Sequence, residues 1–324
     1  MTTPPGRRIG SMRTSNHTSR DGHNLARDGR GFRPYHRQQT TAMREIRYQL
    51  CDVFTDRPLA GNALSVFTDA DGIDGATMQA LARETNLSES AFVLSPTTAD
   101  ANAAIRIFTP TMELPFAGHP TLGTAFVLAA RRQQTRIVLE TGRGVVTVRL
   151  SYESERPAFG WMTQPLPQIA PYGSAPALLT ALGVTASRLP VDLYDNGPHY
   201  VYVELDTRDE VAALRPDLSR LAALGTTAFC VFAGEGRAWK CRVFAPGEGI
   251  AEDPATGAAA GPLAVHLARH GRIGFGDEIV IEQGVEIGRP STLHACARGG
   301  RHQLDSVEVG GHAVIVGQGT FRLP

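Results

Sequence analysis

Apolar and polar positions alternate along most of the chain, and stretches with apolar residues three or four positions apart interrupt the alternation. In the first half these two patterns predict strands at 46–54, 63–68, 90–94, 105–108, 136–141 and 144–150, and helices at 74–85 and 120–130. In the second half they predict strands at 200–205, 227–232, 238–244, 278–283, 292–297, 306–310 and 312–316, and helices near 176–182, 218–224 and 259–270. Two similar halves of mixed strands and helices predict an α+β protein.

One motif occurs once in each half. RIFTP (106–110) is followed by ELPFAGH (113–119), and RVFAP (242–246) is followed by EDPATGA (252–258). Each copy predicts a strand, a loop and the start of a helix, which indicates an internal duplication.

The two predicted helix starts are candidate binding positions. Free backbone N–H groups there can hold an anion, and we expect Gly118 and Gly257 to let the preceding loops turn tightly. If the halves face each other, a carboxylate-bearing small molecule can lie between them. The alternative is that both loops only begin helices, but unlike residues at matched places, such as His119 against Ala258, favour a site.

The first 42 residues differ in composition from the rest. They carry eight arginines and two aspartates, a net charge of +6, with little aliphatic periodicity. We expect 1–42 to be a disordered basic tail, because it cannot offset its ordering entropy by burial. The alternatives are a nucleic-acid-binding arm, a transit peptide, or an extension before a natural start at Met43. The proline-bearing run 163–171 is the predicted linker between a first domain at 43–168, which 312–324 can complete, and a second at 169–311.

Several classes of protein are disfavoured by composition. No run approaches the roughly 18 apolar residues of a membrane span and no signal-peptide core is present, so we expect a cytoplasmic protein with no membrane or nucleic-acid partner. The four cysteines lack C-x-x-C spacing, which argues against zinc and disulfides. Lys240 is the only lysine and lies in a predicted strand, which disfavours pyridoxal phosphate. Without nucleotide-binding motifs either, we expect no cofactor and no metal.

Glu89 is the strongest single candidate for proton transfer. The spacing Asn86-x-x-Glu89 fits a helix capping box, but the run SAFVL (90–94) that follows predicts a strand. We therefore expect a carboxylate at the start of a strand, where partial burial raises its pKa toward neutrality. His119 and Asp253 each have a structural explanation at a helix start. Together with Glu89 they form a candidate acid, base and orienting set.

Four runs carry a resemblance to a known family. RETNLSE (83–89), RIFTPTMELPFAGHP (106–120), EDPATGAAAGP (252–262) and QGVEIGRPS (283–291) resemble the PhzF family of phenazine-biosynthesis isomerases. The resemblance covers about 46–324 and extends to short runs such as NGP and LARHG. It implies a fold like that of diaminopimelate epimerase, with two pseudo-symmetric domains, each a curled and mostly antiparallel sheet around a central helix. The cysteine pair of that epimerase is absent, since His119 and Ala258 stand in the matched loops.

The resemblance also implies a reaction. The family enzyme is a homodimer that converts trans-2,3-dihydro-3-hydroxyanthranilate into 6-amino-5-oxocyclohex-2-ene-1-carboxylate without a cofactor. By position, Glu89 would carry a proton from C3 to C1, while His119 and Asp253 would orient the substrate.

The same resemblance places the substrate-binding groups. Backbone N–H groups around Gly118, Gly257 and Ala258 would bind the substrate carboxylate, and Asn62 would belong to the binding site. Ala258 replaces the usual family serine, which would weaken binding by about 1 kcal/mol. The alternatives are an epimerase or isomerase acting on another amino acid, and a non-catalytic ligand-binding relative.

Overall fold

The computed structural model describes residues 44–323. The basic segment predicted to be disordered, 1–42, lies outside the described residues. Within the described range, no helix is both long enough and apolar enough to cross a membrane.

The first half contains eight strands and two helices. The strands are β1 (Arg44–Val53), β2 (Asn62–Phe67), β3 (Glu89–Leu94), β4 (Ala103–Phe108), β5 (Glu113–Leu114), β6 (Arg136–Thr141), β7 (Gly144–Glu153) and β8 (Arg156–Gln164). The helices are α1 (Gly75–Thr85) and α2 (Gly118–Arg132).

The second half contains ten strands and four helices. The strands are β9 (Gln168–Pro171), β10 (Asp192–Asp195), β11 (His199–Glu204), β12 (Ala228–Glu235), β13 (Ala238–Ala245), β14 (Ile250–Asp253), β15 (Glu278–Gln283), β16 (Ser291–Gly299), β17 (Leu304–Gly311) and β18 (Ala313–Leu323). The helices are α3 (Ala175–Leu182), α4 (Arg208–Ala213), α5 (Leu218–Ala222) and α6 (Gly257–Arg269), and 3-10 turns lie at Pro246–Glu248 and Val285–Ile287.

Strand pairing repeats between the halves. In the first half β2 is parallel to β3, β3 antiparallel to β4, β4 parallel to β6, and β6 antiparallel to β7. In the second half β11, β12, β13, β15 and β16 pair in the same sequence of directions. The protein is thus an α+β fold built from two pseudo-symmetric halves.

Each half folds its sheet around one buried helix. Helix α2 packs against β1, β2, β3, β6, β7 and β8, and α6 packs against β11, β15, β16 and β17. Alanines are frequent in both helices, and their small side chains let the strands approach closely. Leu122 and Phe126 of α2 and Leu263 of α6 are buried in the core.

Two strand pairs connect distant parts of the chain. The last strand, β18, runs antiparallel to β1 and so adds the end of the chain to the first half. Strand β8 pairs with β17 of the second half, which makes the sheet continuous between the halves.

The predicted linker is built into the sheet. Residues 163–171 contain the end of β8 and all of β9, with 165–167 between them. The Gln164 side chain is buried and donates a hydrogen bond from Nε2 to the Gly257 carbonyl oxygen (2.8 Å). Pro165 and Pro167 lie in the gap between the two strands, where a missing backbone N–H removes no ladder bond.

Candidate active site

The first residues of the two central helices touch each other. A Cβ atom placed on Gly118 would lie 2.4 Å from the Ala258 backbone nitrogen and 2.6 Å from the Gly257 carbonyl carbon. A Cβ on Gly257 would lie 2.7 Å from the Phe54 ring. Neither glycine is among the residues with positive φ, so the expectation that they provide tight turns is wrong. Glycine is needed at 118 because the backbone of the other helix start occupies the space of a side chain, and at 257 because the Phe54 ring does.

Both helix starts lack a side-chain cap. The residues that precede them, Ala117 and Thr256, make no capping hydrogen bond from their side chains. Backbone N–H groups of the first helical turns therefore remain for other partners. Two such ends side by side concentrate partial positive charge, which favours an anionic ligand at their junction.

Glu89 begins β3, immediately after a short turn that ends α1. Asn86 terminates α1 in the left-handed conformation (φ 50°), and its backbone N–H bonds the Ala82 carbonyl. The capping-box explanation is therefore wrong, because Asn86 closes a helix and does not open one. Glu89 is 7% exposed and lies in the first position of the strand, as its surrounding sequence predicts.

The structure brings Glu89, His119 and Asp253 together around Asn62. Nδ2 of Asn62 donates to Asp253 Oδ1 (2.8 Å) and to the Ala255 carbonyl oxygen (3.0 Å), and lies 3.3 Å from His119 Nδ1. The same His119 nitrogen lies 3.4 Å from Glu89 Oε2. All four side chains are buried. Residues from both halves thus form one polar cluster beside the paired helix starts.

Two buried polar atoms of this cluster have no hydrogen-bond partner among residues 44–323. They are Glu89 Oε2 and His119 Nε2, neither of which makes a hydrogen bond. An unsatisfied buried polar group is unfavourable by about 1–3 kcal/mol. Such groups mark a place where a ligand can supply the missing bonds.

Burial changes the acid–base properties of the cluster. Desolvation, followed by the negative charges of Asp253 and Glu248, raises the pKa of Glu89 well above its usual range. Burial likewise raises the pKa of Asp253 to about 6, although hydrogen bonds from Thr256, Asn62 and Ser88 act in the opposite direction. Burial lowers the pKa of His119 to about 3, so its imidazole is neutral at physiological pH.

A glutamine from β15 holds the loop that carries Asp253. Gln283 accepts from the Thr256 N–H (3.0 Å) through Oε1, and its Nε2 donates to the Asp253 carbonyl oxygen (2.8 Å) and to Thr256 Oγ1 (2.9 Å). The Thr256 hydroxyl in turn donates to Asp253 Oδ2 (2.6 Å). Sequence reasoning did not assign Gln283 to the site, although it opens the QGVEIGRPS run.

Two further polar residues near the cluster were also missed. Glu248 lies in the 3-10 turn after β13, and burial raises its pKa to about 7, with a contribution from Asp253. Its carbonyl oxygen accepts from the Thr111 hydroxyl of the other half (3.1 Å). Tyr200 of β11 is 5% exposed, and burial together with Glu248, Glu89 and Asp253 raises its pKa. Glu248 lies between the RVFAP and EDPATGA runs and Tyr200 follows the NGP run, but neither residue is part of a run, so neither was singled out.

Ala258 lies in the first turn of α6, at the contact between the helices. It is 1% exposed, and its carbonyl oxygen accepts from Asn196 Nδ2 (2.9 Å). Asn196 belongs to the NGP run, which therefore supports the start of α6.

Comparison with known proteins identifies the family. The family model PhzC-PhzF, described as phenazine biosynthesis-like protein, matches residues 51–319. The chain is 49% identical over 276 residues to trans-2,3-dihydro-3-hydroxyanthranilate isomerase of Pseudomonas fluorescens, covering 85% of this chain and 99% of that protein. It is 46% identical over 277 residues to the Pseudomonas aeruginosa protein of the same name, and the match covers 86% of this chain and 99% of that protein.

Solved structures show the same fold. A Bacillus anthracis phenazine biosynthesis protein of the PhzF family matches with a TM-score of 0.74 and 25% identity, covering 86% of this chain and 99% of that one. A hydroxyproline epimerase from Agrobacterium vitis matches with a TM-score of 0.59 at 14% identity, covering 86% of this chain and 93% of that one. This match shows a similar fold only. The chain belongs to the PhzC-PhzF family and is an isomerase.

Proposed function

We propose that the protein converts trans-2,3-dihydro-3-hydroxyanthranilate into 6-amino-5-oxocyclohex-2-ene-1-carboxylate in phenazine biosynthesis. The observation that carries this proposal is the buried Glu89–His119–Asp253 cluster at the junction of two uncapped helix starts. The relatives named for this reaction, at 46% to 49% identity, support it. Substrate and product are isomers, so the reaction requires no oxidant, reductant or co-reactant.

Glu89 is the proposed proton carrier. As a carboxylate it takes the proton from C3 of the ring, and the electron pair moves through the conjugated double bonds toward C1. The protonated Glu89 then returns that proton at C1, and the resulting enol becomes the ketone by tautomerisation. The raised pKa of Glu89 suits both steps, because a weaker acid is a stronger base and holds the proton between them.

His119 and Asp253 are proposed to position the substrate and Glu89. His119 Nδ1 faces Glu89 Oε2, and the neutral imidazole leaves Nε2 free for a substrate polar group. Asp253 is fixed by Asn62 and Thr256, so its carboxylate is held in one orientation. A fixed polar environment stabilises developing charge without reorganisation during the reaction.

The substrate carboxylate is proposed to lie on the paired helix starts. Backbone N–H groups of Gly118, Gly257 and Ala258 lie at that junction, where the helix dipoles favour negative charge. The carboxylate would thereby be held near the start of α2, one residue from His119. We further propose that the enzyme needs no cofactor and works as a homodimer, as the family resemblance implies.

The substrate is tested by parallel assays of the full-length protein. The protein is incubated with trans-2,3-dihydro-3-hydroxyanthranilate, with L-proline and with trans-4-hydroxy-L-proline, and consumption is followed by absorbance, product mass and chiral chromatography. Consumption of the first compound alone supports the proposal. Epimerisation of an imino acid, or no turnover of the first compound by folded protein, would contradict it.

A further inference from the structure

Three side chains with metal-ligating atoms meet at the C-terminal end of α6. His266 and His270 are four residues apart and therefore lie on one face of this helix, and Asp192 is the first residue of β10. We propose that Asp192, His266 and His270 form a binding site for a divalent transition-metal ion such as Zn²⁺. The LARHG run (267–271), which the catalytic cluster does not use, contains one of the three.

The distances fit a small ion with little movement. Asp192 Oδ2 lies 3.2 Å from His270 Nε2 and 4.0 Å from His266 Nδ1, and one donor atom of each residue lies within 4.8 Å of the others. Ligands bound to tetrahedral zinc at about 2.1 Å are about 3.4 Å apart. Small side-chain rotations therefore suffice to place all three donors on one ion.

The surroundings hold the buried imidazole in place. The His266 side chain is fully buried and packs on the rings of Tyr194, Tyr202 and Phe232, with centroids 5.5, 5.5 and 5.9 Å away. Its Nε2 is buried without a hydrogen-bond partner among residues 44–323. The Tyr194 hydroxyl lies 3.0 Å from His266 Nδ1, so a fourth polar atom lies beside the three proposed ligands.

The donor types select the class of ion. Two imidazoles and one carboxylate suit Zn²⁺, Co²⁺ and Ni²⁺, whereas Mg²⁺ and Ca²⁺ prefer oxygen ligands alone. The side chains of Asp192 and His270 are 13% and 21% exposed, so an ion can enter from solvent. Arg269 is the neighbouring positive charge, and it opposes a cation at this position.

The proposed ion is structural. His266 and His270 lie nine and thirteen residues after Gly257, about 14 to 20 Å along the helix from the catalytic cluster. An ion bound there joins the end of α6 to β10 and so stabilises the second half of the fold. It takes no part in the proposed proton transfer.

The site is tested by equilibrium dialysis of the full-length protein against ZnCl₂, with thermal unfolding measured in parallel. His270→Gln and Asp192→Asn each remove one ligand. The matched control is His199→Gln, because His199 Nε2 also faces a carboxylate, Asp195 Oδ2, at 3.6 Å, but belongs to no three-residue set among residues 44–323. Arg269→Gln removes the opposing charge.

Wild type and His199→Gln are expected to bind one more zinc ion per chain than the two ligand variants at micromolar metal. Zinc is expected to raise the unfolding midpoint of wild type, His199→Gln and Arg269→Gln but not of the two ligand variants. Arg269→Gln is expected to bind zinc more tightly than wild type. Loss of either ligand should weaken binding at this site by about tenfold or more. Equal zinc uptake by wild type and both ligand variants, or no midpoint shift of wild type by zinc, would overturn the proposal.

Discussion

Replacing Gly118 with alanine tests whether the contact between the two helix starts builds the site. The new Cβ would lie 2.4 Å from the Ala258 nitrogen, and 2.6 and 2.8 Å from two backbone carbons of Gly257. All three atoms belong to the backbone, so no side chain can rotate away. Because carbon contacts are favourable only near 3.5–4.0 Å, the helix starts must separate by about 1 Å.

The expected losses follow from that separation. Overpacking a well-packed interior destabilises by about 1–3 kcal/mol, and a contact with rigid backbone belongs at the upper end. A displacement of about 1 Å in a catalytic arrangement lowers activity by about 100-fold. We therefore expect Gly118→Ala to lose about 3 kcal/mol in free energy of unfolding and about 100-fold in kcat/KM.

Urea denaturation and kinetic assays check both values, with Gly173→Ala as the matched control. An added Cβ at Gly173 meets nothing within 4 Å, and this glycine has no positive φ. The control should therefore stay within about 0.5 kcal/mol of wild type, as surface substitutions usually do. If Gly118→Ala behaved like Gly173→Ala in both assays, the contact would have no role in forming the site.

Three further substitutions test separate parts of the account. Ala258→Ser places the usual family hydroxyl at the start of α6. It should lower the KM for the substrate by about fivefold, because one neutral hydrogen bond contributes about 1 kcal/mol. An unchanged KM would show that the hydroxyl has no partner there. Gln283→Ala removes the hydrogen bonds that hold the Asp253 loop. The variant should lose about 3 kcal/mol in free energy of unfolding and should lower kcat more than it changes KM. A loss below about 1 kcal/mol would contradict the positioning role of Gln283. Burial raises the pKa of Glu248 from 4.5 to about 7. Between these pH values the folded state therefore binds more protons at Glu248 than the unfolded state does. The contribution of Glu248 to stability consequently falls as pH rises. Urea titrations of Glu248→Gln should therefore show a more positive slope of unfolding free energy against pH than wild type over this range, and parallel slopes would contradict the assigned burial.

Sequence periodicity predicted elements whose signal is local. Strand β3 and helix α1 follow from alternation and helical spacing, and the boundary between them correctly placed Glu89 at the start of a strand. Strands β8 and β9 were missed because proline and glycine interrupt their alternation. Strand β8 is held by the neighbouring β7 and by the distant β17, and β9 is held by β10, so tertiary pairing overrides the weak local signal.

The site could be predicted only as far as its motifs extend. His119 and Asp253 lie in duplicated motifs, and the structure places both beside Glu89 and Asn62. Gln283 opens the QGVEIGRPS run, whereas Glu248 and Tyr200 lie outside the runs, and none of the three is part of the duplicated motif. All three reach the cluster through the tertiary fold. The function of Gly118 and Gly257 was misjudged for the same reason, since each is constrained by the opposite half and not by its own loop.

The central claim is that Glu89 carries the proton. Turnover of trans-2,3-dihydro-3-hydroxyanthranilate is measured for wild type, Glu89→Gln and the control Glu235→Gln, in which the same change is made at an exposed residue at the end of β12. Because a neutral amide avoids the desolvation of a buried carboxylate, Glu89→Gln should unfold at a temperature no lower than wild type. The account predicts a loss of about 1000-fold or more in kcat for Glu89→Gln alone. Turnover by folded Glu89→Gln within about tenfold of wild type would contradict it.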